Sequence, residues 1–347
     1  MLTVSEYRDL PSIDGIRDLW RQLWWKTPRA SFFQSIEWFE SHCRRTAGVQ
    51  KPRVFVVAAA GRPVGLVPWV EERVWGPVGR LRVLSDAPAA QGFSRGSLGS
   101  NPDLTLATVL NHTRARCRWD RLELRHVELG NRKRALGGRR IDPTVNTNVV
   151  KETRVLVECR GDWVRFLRSL PEQVREQYQR SERKLAEQGT LEYVRYRPEG
   201  TPLHDDNPRW ELFGDLERAQ NGREKVGAQS ELARDIHEAA TSIAGVDLNL
   251  LRLNGKPIAW AYNYRCDGRI EMQRLRAAGE FASAAGSALL GRMLCDGFRR
   301  GDESYLFDRE TSRLAAGWQT AAATSYRRIH HPRIGAGVVR LLAAFNR

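Results

Sequence analysis

The sequence predicts a mixed α/β (α+β) protein with two related domains, each a mostly antiparallel sheet flanked by helices. One observation is an internal repeat. Residues 54–70 and 248–264 both run as an apolar strand, a glycine turn, a basic residue, a proline and a β-branched residue, about 194 residues apart. Self-similarity over so long a period is typical of a duplicated unit. A second observation is that 347 residues, 41% of them hydrophobic, suffice for two cores.

The order of apolar patterns is the third observation, and in the first half it predicts a domain over residues 1–150. Helical spacing marks 14–44 and 104–116, and alternation marks a strand at 121–124. The stretch 74–102 is rich in Gly, Pro and Ser, which predicts loops around a short strand at 81–84.

The second half predicts a domain over residues 151–347 that opens with a strand and a basic helical pair at 161–189. Asn254-Gly255 and Asp267-Gly268 are tight-turn pairs, which indicate three consecutive antiparallel strands. The predicted elements are, in order, a strand at 153–158, the helical pair, helices at 210–218 and 231–243, strands at 247–253, 257–265 and 269–276, a loop at 277–285, a helix at 286–299 and a strand at 304–308.

The net charge of +15 indicates an anionic partner or an arginine-rich codon usage, since only seven of the 56 basic residues are lysines. One predicted helix carries a basic face, formed by Arg175, Arg180, Arg183 and Lys184. We expect such a face to suit tRNA or an anionic membrane surface.

Several classes of protein are not indicated. The five cysteines are scattered without a C-x-x-C pair, and the seven histidines lack ligand spacing, so neither disulfides nor a metal is expected. There is no P-loop, dinucleotide glycine fingerprint or G-x-S-x-G elbow. No apolar run approaches the ~20 residues of a membrane span and the first residues do not resemble a signal peptide, so we expect a cytoplasmic protein.

In the second half of the chain, the predicted antiparallel strands are followed by a loop of small residues, a helix and a further strand. This order resembles the core of the GNAT acyltransferases. In that fold a Q/R-x-x-G-x-G/A pattern holds the pyrophosphate of acyl-coenzyme A on backbone amides. The matching residues here are Ser283, Ala284, Ala285, Gly286, Ser287 and Ala288, with Ser283 where Gln or Arg is usual. The resemblance implies tandem GNAT-like domains that use acetyl-CoA or another acyl-CoA without a metal, with Arg276 on the preceding strand as a further coenzyme contact.

Four further stretches resemble the CelD-type acetyltransferases, a double-GNAT family related to the Fem peptidoglycan transferases. They are Ser-Phe-Phe-Gln-Ser-Ile-Glu-Trp-Phe at 31–39, Leu-Pro-Glu-Gln-Val-Arg at 170–175, the basic helix at 180–189 and Gly-Lys-Pro-Ile-Ala at 255–259. The family's Gly-Asp-Glu-x-Tyr-Lys stretch after the last core strand is replaced here by Arg-Glu-Thr-Ser-Arg at 309–313. This departure raises the prospect of an unusual acceptor or of lost activity.

Acyl transfer from a thioester needs a base near the acceptor and a proton source for the leaving thiolate. Asp308 and Glu310 follow the strand next to the coenzyme helix and are the first base candidates, and Glu271 is the third. Each carboxylate could equally form an ion pair with a neighbouring arginine. Tyr305 is a candidate acid, with a core position as the alternative.

An acceptor that is a sugar or amino sugar would suit aromatic faces combined with an amide. The candidates for acceptor binding are Trp38, Trp69, Trp260, Tyr262, Asn263 and Arg175. The resemblance implies acyl transfer to an amine or hydroxyl of a cell-envelope or exopolysaccharide precursor. The alternatives are a Fem-like transferase that uses aminoacyl-tRNA and a binding module without catalysis.

Overall fold

The structure is a computed structural model that describes residues 2–76, 79–87, 96–116, 119–127, 146–198, 228–277, 279–308 and 311–331. The chain forms two compact units. Unit 1 is Met1–Thr153 with Thr324–Arg347, and unit 2 is Arg154–Ala323. These units differ from the predicted domains at the end of the chain, because the last described strand pairs within unit 1. Within the described ranges, no helix has the length and apolar character needed to cross a membrane.

Unit 1 contains a mixed sheet with strand order β1-β2-β3-β4-β5-β12. All of its described pairings are antiparallel except that of β4 with β5. Its strands are β1 (Leu2–Tyr7), β2 (Gln50–Ala59), β3 (Arg62–Gly76), β4 (Gly79–Asp86), β5 (Arg121–Val127) and β12 (Ala321–His331). Its helices are α1 (Leu10–Asp14), α2 (Arg17–Trp25), α3 (Ile36–Arg45) and α4 (Pro102–Arg116), with a 3₁₀ turn at Phe32–Gln34.

Unit 2 contains a second mixed sheet with strand order β6-β11-β10-β9-β8-β7. Only β10 and β11 run parallel among its pairings. Its strands are β6 (Asn146–Glu158), β7 (Leu191–Tyr196), β8 (Val246–Leu253), β9 (Lys256–Cys266), β10 (Arg269–Ala277) and β11 (Ser304–Phe307). Its helices are α5 (Trp163–Ser169), α6 (Glu172–Ala186), α7 (Ala228–Ser242), α8 (Ala282–Arg300) and α9 (Ser312–Ala315), with a 3₁₀ turn at Ala316–Trp318.

The repeated hairpin is present in both units, as β2–β3 and β8–β9. Each turn holds two residues with positive φ, Ala60 and Gly61 in one and Asn254 and Gly255 in the other, which is the conformation of a tight hairpin turn. In both hairpins the register shifts by one residue directly after the turn proline, so each carries a bulge at the same place. In each unit a helix then connects two parallel strands, by β4-α4-β5 and by β10-α8-β11. The predicted fold class is confirmed.

The main differences from the predicted elements have local causes. The first predicted helix is three helices, because the capping Ser31 and Ser35 start new segments within it. α8 begins at Ala282 instead of Gly286, since the small residues before the glycine are themselves helical. Strands β1, β7 and β12 were not predicted, and the predicted helix at 210–218 lies outside the described residues.

In unit 2, α8 lies on one face of the sheet and packs its buried stripe against β9 and β10, and α6 and α5 pack against α8. α7 contacts β8, and the Nδ1 of His237 on α7 forms a hydrogen bond with the Tyr262 hydroxyl. Ala261, the residue before Tyr262, belongs to the core under α8. Because alternate strand residues face opposite sides, α7 covers the other face. The two faces of this sheet therefore present different side chains to different helices.

Candidate functional site

The start of α8 has unpaired amides. Phe281 at its N-cap provides no side-chain hydrogen bond, and the first turn contains no acidic residue. The amide of Ala285 donates to the Phe281 carbonyl at 2.8 Å, whereas the amides of Ser283 and Ala284 have no acceptor among the described residues. Such amides, together with the helix dipole, create a positive end that can bind an anion.

The corresponding helix of unit 1 lacks this property. The Asn101 side chain accepts a hydrogen bond from the Leu104 amide at 3.1 Å, and Asp103 adds a negative charge in the first turn of α4. A Cβ at Gly65 would come within 2.0 Å of the Thr105 side chain, so strand and helix are already in close contact. Of the two helices that connect parallel strands among the described residues, α8 is the one with a start suited to a phosphate.

An interruption of the sheet lies next to the start of α8. β10 pairs with β11 only from Arg269 to Met272, and a register shift leaves Gln273 as a bulge against β9. Beyond the bulge, β10 continues to Ala277 with β9 as its described partner. The two parallel strands therefore share only four residue pairs, and the far end of β10 is open toward the helix start.

The proximity of that strand end to α8 is visible at Gly286. A Cβ built there would lie 3.6 Å from Leu275 Cδ2 and 3.8 Å from the Cβ of Ala277, which is ordinary van der Waals contact. Packing against the described residues therefore does not require a glycine at position 286. Arg276 lies on the same strand end, partly exposed, and its Nη1 donates to the Leu275 carbonyl at 3.3 Å.

A cleft of about 200 Å³ adjoins the second turn of α8. Its walls are Ser287 of α8, Val174 and Gln177 of α6, and Arg313, Leu314, Gly317 and Trp318 after β11. Gly317 is needed here, because a Cβ would approach Val174 Cγ2 to 2.4 Å. Trp318 packs between Trp163 and Tyr178, which fixes this wall of the cleft. Arg313 is exposed at the rim and adds a positive charge.

Asp308 is occupied as a helix cap. Its Oδ1 accepts hydrogen bonds from the Thr311 amide at 2.6 Å and from Thr311 Oγ1 at 2.5 Å, and the side chain is 4% exposed. The carboxylate therefore holds the turn from β11 into α9 and is committed to that structural role in this conformation. Glu310 lies outside the described residues.

Tyr305 belongs to a buried network of ion pairs at the other half of α8. Its hydroxyl donates to Asp302 Oδ2 at 2.7 Å and accepts from Arg195 Nη2 at 2.7 Å. Arg195 also forms an ion pair with Asp247 of β8, and Arg197 forms a second ion pair with the same aspartate. The two pairs connect the end of β7 to β8. Burial raises the pKa of Tyr305 well above its ordinary value, so it is a poor proton donor for a thiolate. The predicted role as acid is not supported by this position.

Glu271 lies on the face of the unit 2 sheet away from α8. It is 2% exposed, stands opposite Tyr264 of β9 and Leu306 of β11, and has Arg269 Nε 3.7 Å from its Oε1. Cross-strand partners share a face, so Glu271 and Tyr264 are neighbours. Of the three predicted carboxylates, Glu271 is the one that lies on β10, the strand whose pairing with β11 stops at Met272.

An aromatic and histidine cluster lies on that same face. Tyr262 packs edge-on against Tyr264 with ring centroids 5.4 Å apart, and its hydroxyl lies 3.0 Å from His237 Nδ1. Burial lowers the pKa of His237 to about 4, so this imidazole is neutral near pH 7. Trp260 lies two residues before Tyr262 and so faces the same side. Tyr264 and His237 were not predicted; the alternation at 260, 262 and 264 was the available signal for the tyrosine.

The remaining acceptor candidates are not brought together. Asn263 faces α8, where its Nδ2 lies 3.4 Å from Met293 Sδ, on the opposite side from Tyr262. Trp69 is fully buried in unit 1 with its Nε1 donating to Asp86, and Trp38 is buried against Phe33. Trp38 and Trp69 lie in the core of unit 1 and Asn263 faces α8, so none of the three joins the cluster around Tyr262. Arg175 is partly exposed on α6, with Nη1 donating to a carbonyl of α5.

One family model matches part of the second half of the chain. Residues 172–328 match the model described as acetyltransferase (GNAT) domain. No curated protein sequence matches the chain. The matched region contains α6, β10, α8 and β11, which are the elements around the open helix start.

Solved structures extend the likeness over the whole chain at the level of the fold. FemX has a TM-score of 0.61 at 11% identity, with 97% of this chain and 99% of FemX covered. L-PGS from Bacillus licheniformis has a TM-score of 0.51 at 12% identity, with 90% and 96% covered. A protein of unknown function from Bacteroides thetaiotaomicron has a TM-score of 0.53 at 10% identity, with 95% and 100% covered. At these identities the comparison shows a shared fold.

Proposed function

We propose that this protein is an acyltransferase that takes an acyl group from acyl-CoA at unit 2 and transfers it to an amine or hydroxyl. The observation that carries the proposal is the uncapped start of α8, with the free amides of Ser283 and Ala284, inside the region that matches the GNAT domain model. The pyrophosphate of the coenzyme would accept hydrogen bonds from these amides. Arg276 and Arg313 would add positive charge at either side.

Glu271 is the base that the geometry favours, because the competing Asp308 carboxylate is occupied by Thr311. Four residues separate Glu271 from Leu275 at the helix start, about 13 Å along an extended strand. The extended pantetheine arm of the coenzyme can bridge such a span from pyrophosphate to thioester. Glu271 would accept the proton of the acceptor, directly or through a water.

The reaction would form a bond from the acceptor nitrogen or oxygen to the acyl carbon and break the carbon–sulfur bond. The proton lost by the acceptor goes to Glu271, and Glu271 returns that proton, directly or through a water, to the departing thiolate, which leaves as free coenzyme A. The neighbouring cluster of Tyr262, Tyr264 and His237 would then lie at the acceptor side of the sheet. The cluster is buried beneath α7 in this conformation, so an acceptor would reach it only after α7 moves. Aromatic faces suit a sugar ring, which supports a glycan-precursor acceptor of the cell envelope or an exopolysaccharide and a CelD-type specificity.

A Fem-like transfer from aminoacyl-tRNA is the second candidate, favoured by the shared fold with FemX and by exposed basic residues on α6. The helix interleaves those four cations with three carboxylates, which leaves a net charge of only +1. One of its carboxylates, Glu182, is also bonded to Arg292 at 2.7 Å. This weak local charge is why we place acyl-CoA before tRNA.

The test is release of free thiol from acetyl-CoA in the presence of amino sugars and polyol acceptors, by the wild type and by Glu271→Gln. The proposal expects acceptor-dependent thiol release that falls strongly in the variant, with acetyl-CoA affinity retained. Retention of tRNA that falls steeply with salt, without acetyl-CoA binding, would favour the Fem-like function. Binding of neither donor would leave a non-catalytic role for the fold.

A further inference from the structure

The β3–β4 hairpin of unit 1 extends beyond the strand beside it. β2 pairs with β3 as far as Gln50 opposite Glu72, whereas β3 and β4 remain paired to Gly76 opposite Gly79. Four residue pairs therefore form a two-stranded extension past the end of β2. A two-stranded extension has no third strand to cover its side chains.

One face of the extension combines an exposed tryptophan with arginines. Trp75 stands opposite Arg80, and Arg73 stands opposite Arg82, so the four side chains share a face. Trp75 is 82% exposed, the largest exposure among the large hydrophobic residues that the structure describes. Arg73 and Arg80 are exposed and form no hydrogen bond or ion pair with the described residues. We call these four residues the tryptophan–arginine face.

The surroundings of this face are apolar and positive. Val49 precedes the first residue of β2 and is 70% exposed. The nearby carboxylates are engaged inside the sheet, because Glu71 bonds Arg53 and Glu72 accepts a hydrogen bond from Gln50 at 2.9 Å. No acidic residue occurs among the described residues of the extension, 73–76 and 79–82. The face therefore presents an exposed indole beside Arg73 and Arg80, and its third arginine, Arg82, has Nε 3.8 Å from Glu71 Oε1.

We infer that the tryptophan–arginine face is a docking surface for an anionic lipid bilayer. Tryptophan prefers the boundary between headgroups and acyl chains, where its ring meets apolar atoms and its N–H meets water. Arginines near an anionic surface contribute about 1 kcal/mol each, which is about fivefold in affinity per residue. The surface would bring unit 1 to a membrane without a spanning helix. It is independent of the donor site in unit 2.

The experiment is co-sedimentation of the full chain with vesicles of phosphatidylcholine alone or with 30% phosphatidylglycerol. Wild type should sediment with the anionic vesicles only. Arg73→Glu/Arg80→Glu should weaken that binding by roughly 25-fold or more, from two contributions of about fivefold each. Trp75→Ala should weaken it by several-fold at unchanged charge, because the indole no longer inserts.

Matched controls exist at the other end of β3. Trp25 is 65% exposed at the end of α2. Two residues later, Thr27 accepts a hydrogen bond from the amide of Gly99, which lies beside Val64 near the start of β3. Trp25→Ala should leave vesicle binding within about twofold of wild type. The same is expected of Arg62→Glu/Arg160→Glu, which makes the same change of charge at the turn end of β3 and at Arg160 of unit 2, an exposed residue paired with Glu158. Equal losses in the controls, or no sedimentation of wild type with anionic vesicles, would overturn the proposal. Loss of tRNA retention in Arg73→Glu/Arg80→Glu, without vesicle binding in wild type, would assign the face to RNA instead.

Discussion

A carboxylate placed at the start of α8 should have opposite effects on stability and on coenzyme binding. Ser283 is exposed, and its amide has no acceptor among the described residues. In Ser283→Glu the new side chain lies in the first helical turn, where a negative charge interacts favourably with the helix dipole. The same charge would occupy the region in which we place the pyrophosphate.

The two magnitudes differ enough to be separated. A carboxylate in the first turn stabilises a helix by about 0.3–1 kcal/mol, which corresponds to a Tm increase of about 1–3 °C for a unit of this size. Repulsion between that carboxylate and one phosphate charge at about 5 Å costs about 3 kcal/mol at an effective dielectric constant of ~20. The affinity for acetyl-CoA should therefore fall by about 100-fold or more.

Isothermal titration calorimetry with acetyl-CoA and thermal unfolding followed by circular dichroism measure the two effects on the same preparations. Ser283→Gln is the matched control, because it has the same size without the charge and should bind within a few-fold of wild type. An unfolded variant cannot mimic the expected result, since the prediction is weaker binding with a higher Tm. Unchanged acetyl-CoA affinity in Ser283→Glu would refute the placement of the pyrophosphate.

Four further predictions concern residues with distinct roles in unit 2. Glu271→Gln should lower kcat by about 10²–10⁴ with acetyl-CoA affinity unchanged, measured by thiol release and calorimetry. Asp308→Ala should lower the free energy of unfolding by about 0.5–2 kcal/mol through loss of the cap, with turnover per folded molecule reduced only a few-fold. Arg195→Leu should destabilise by about 3–5 kcal/mol in urea unfolding, because it leaves Asp247 buried without one of its two arginine partners. Burial lowers the pKa of His237 to about 4, whereas the imidazole of the unfolded chain has a pKa of about 6.5. The free energy of unfolding should therefore fall as the pH is lowered from about 6.5 to about 4, because over this range the unfolded chain binds a proton that the folded protein does not. His237→Gln should flatten this loss of Tm between pH 7 and pH 4.5.

Each of these expectations has a clear contrary result. Equal losses of turnover in Glu271→Gln and Asp308→Ala would restore Asp308 as a base candidate. A stability change under 1 kcal/mol in Arg195→Leu would mean that the buried ion pairs contribute little. A wild-type Tm that is independent of pH between 7 and 4.5 would show that His237 is hydrated instead of buried.

The hairpins and the helix between parallel strands could be predicted because their signals are local. Asn254-Gly255 specifies a tight turn by itself, and the order of strand, small residues and helix is visible along the chain. Strands β1 and β7 were not predicted, because each alternates in hydrophobicity over only part of its six residues. β7 also contains Arg195 of the buried network, and Arg197 follows directly after it. The partners of those arginines come from segments 50 to 110 residues away, which no local pattern reveals.

The candidate site was predictable in its position and less so in its details. The sequence indicated the start of α8 as a phosphate site, but it put the first helical residue at Gly286, four residues late. The reason is that helix starts usually follow a capping side chain, and this helix has none. Asp308 was a reasonable base candidate from the chain order, and only the Thr311 hydrogen bonds identify it as a cap.

The stoichiometry of acetyl-CoA binding to the full chain tests the central claim most directly. The two units share a hairpin and a strand-helix-strand arrangement. Of the two described helices in that arrangement, α8 has an uncapped start with free amides, whereas α4 is capped by Asn101. Calorimetry should therefore find one acetyl-CoA per chain, and Ser283→Glu should remove that single event. Two binding events, no binding, or one event that is insensitive to Ser283→Glu would contradict the assignment of the donor site to unit 2.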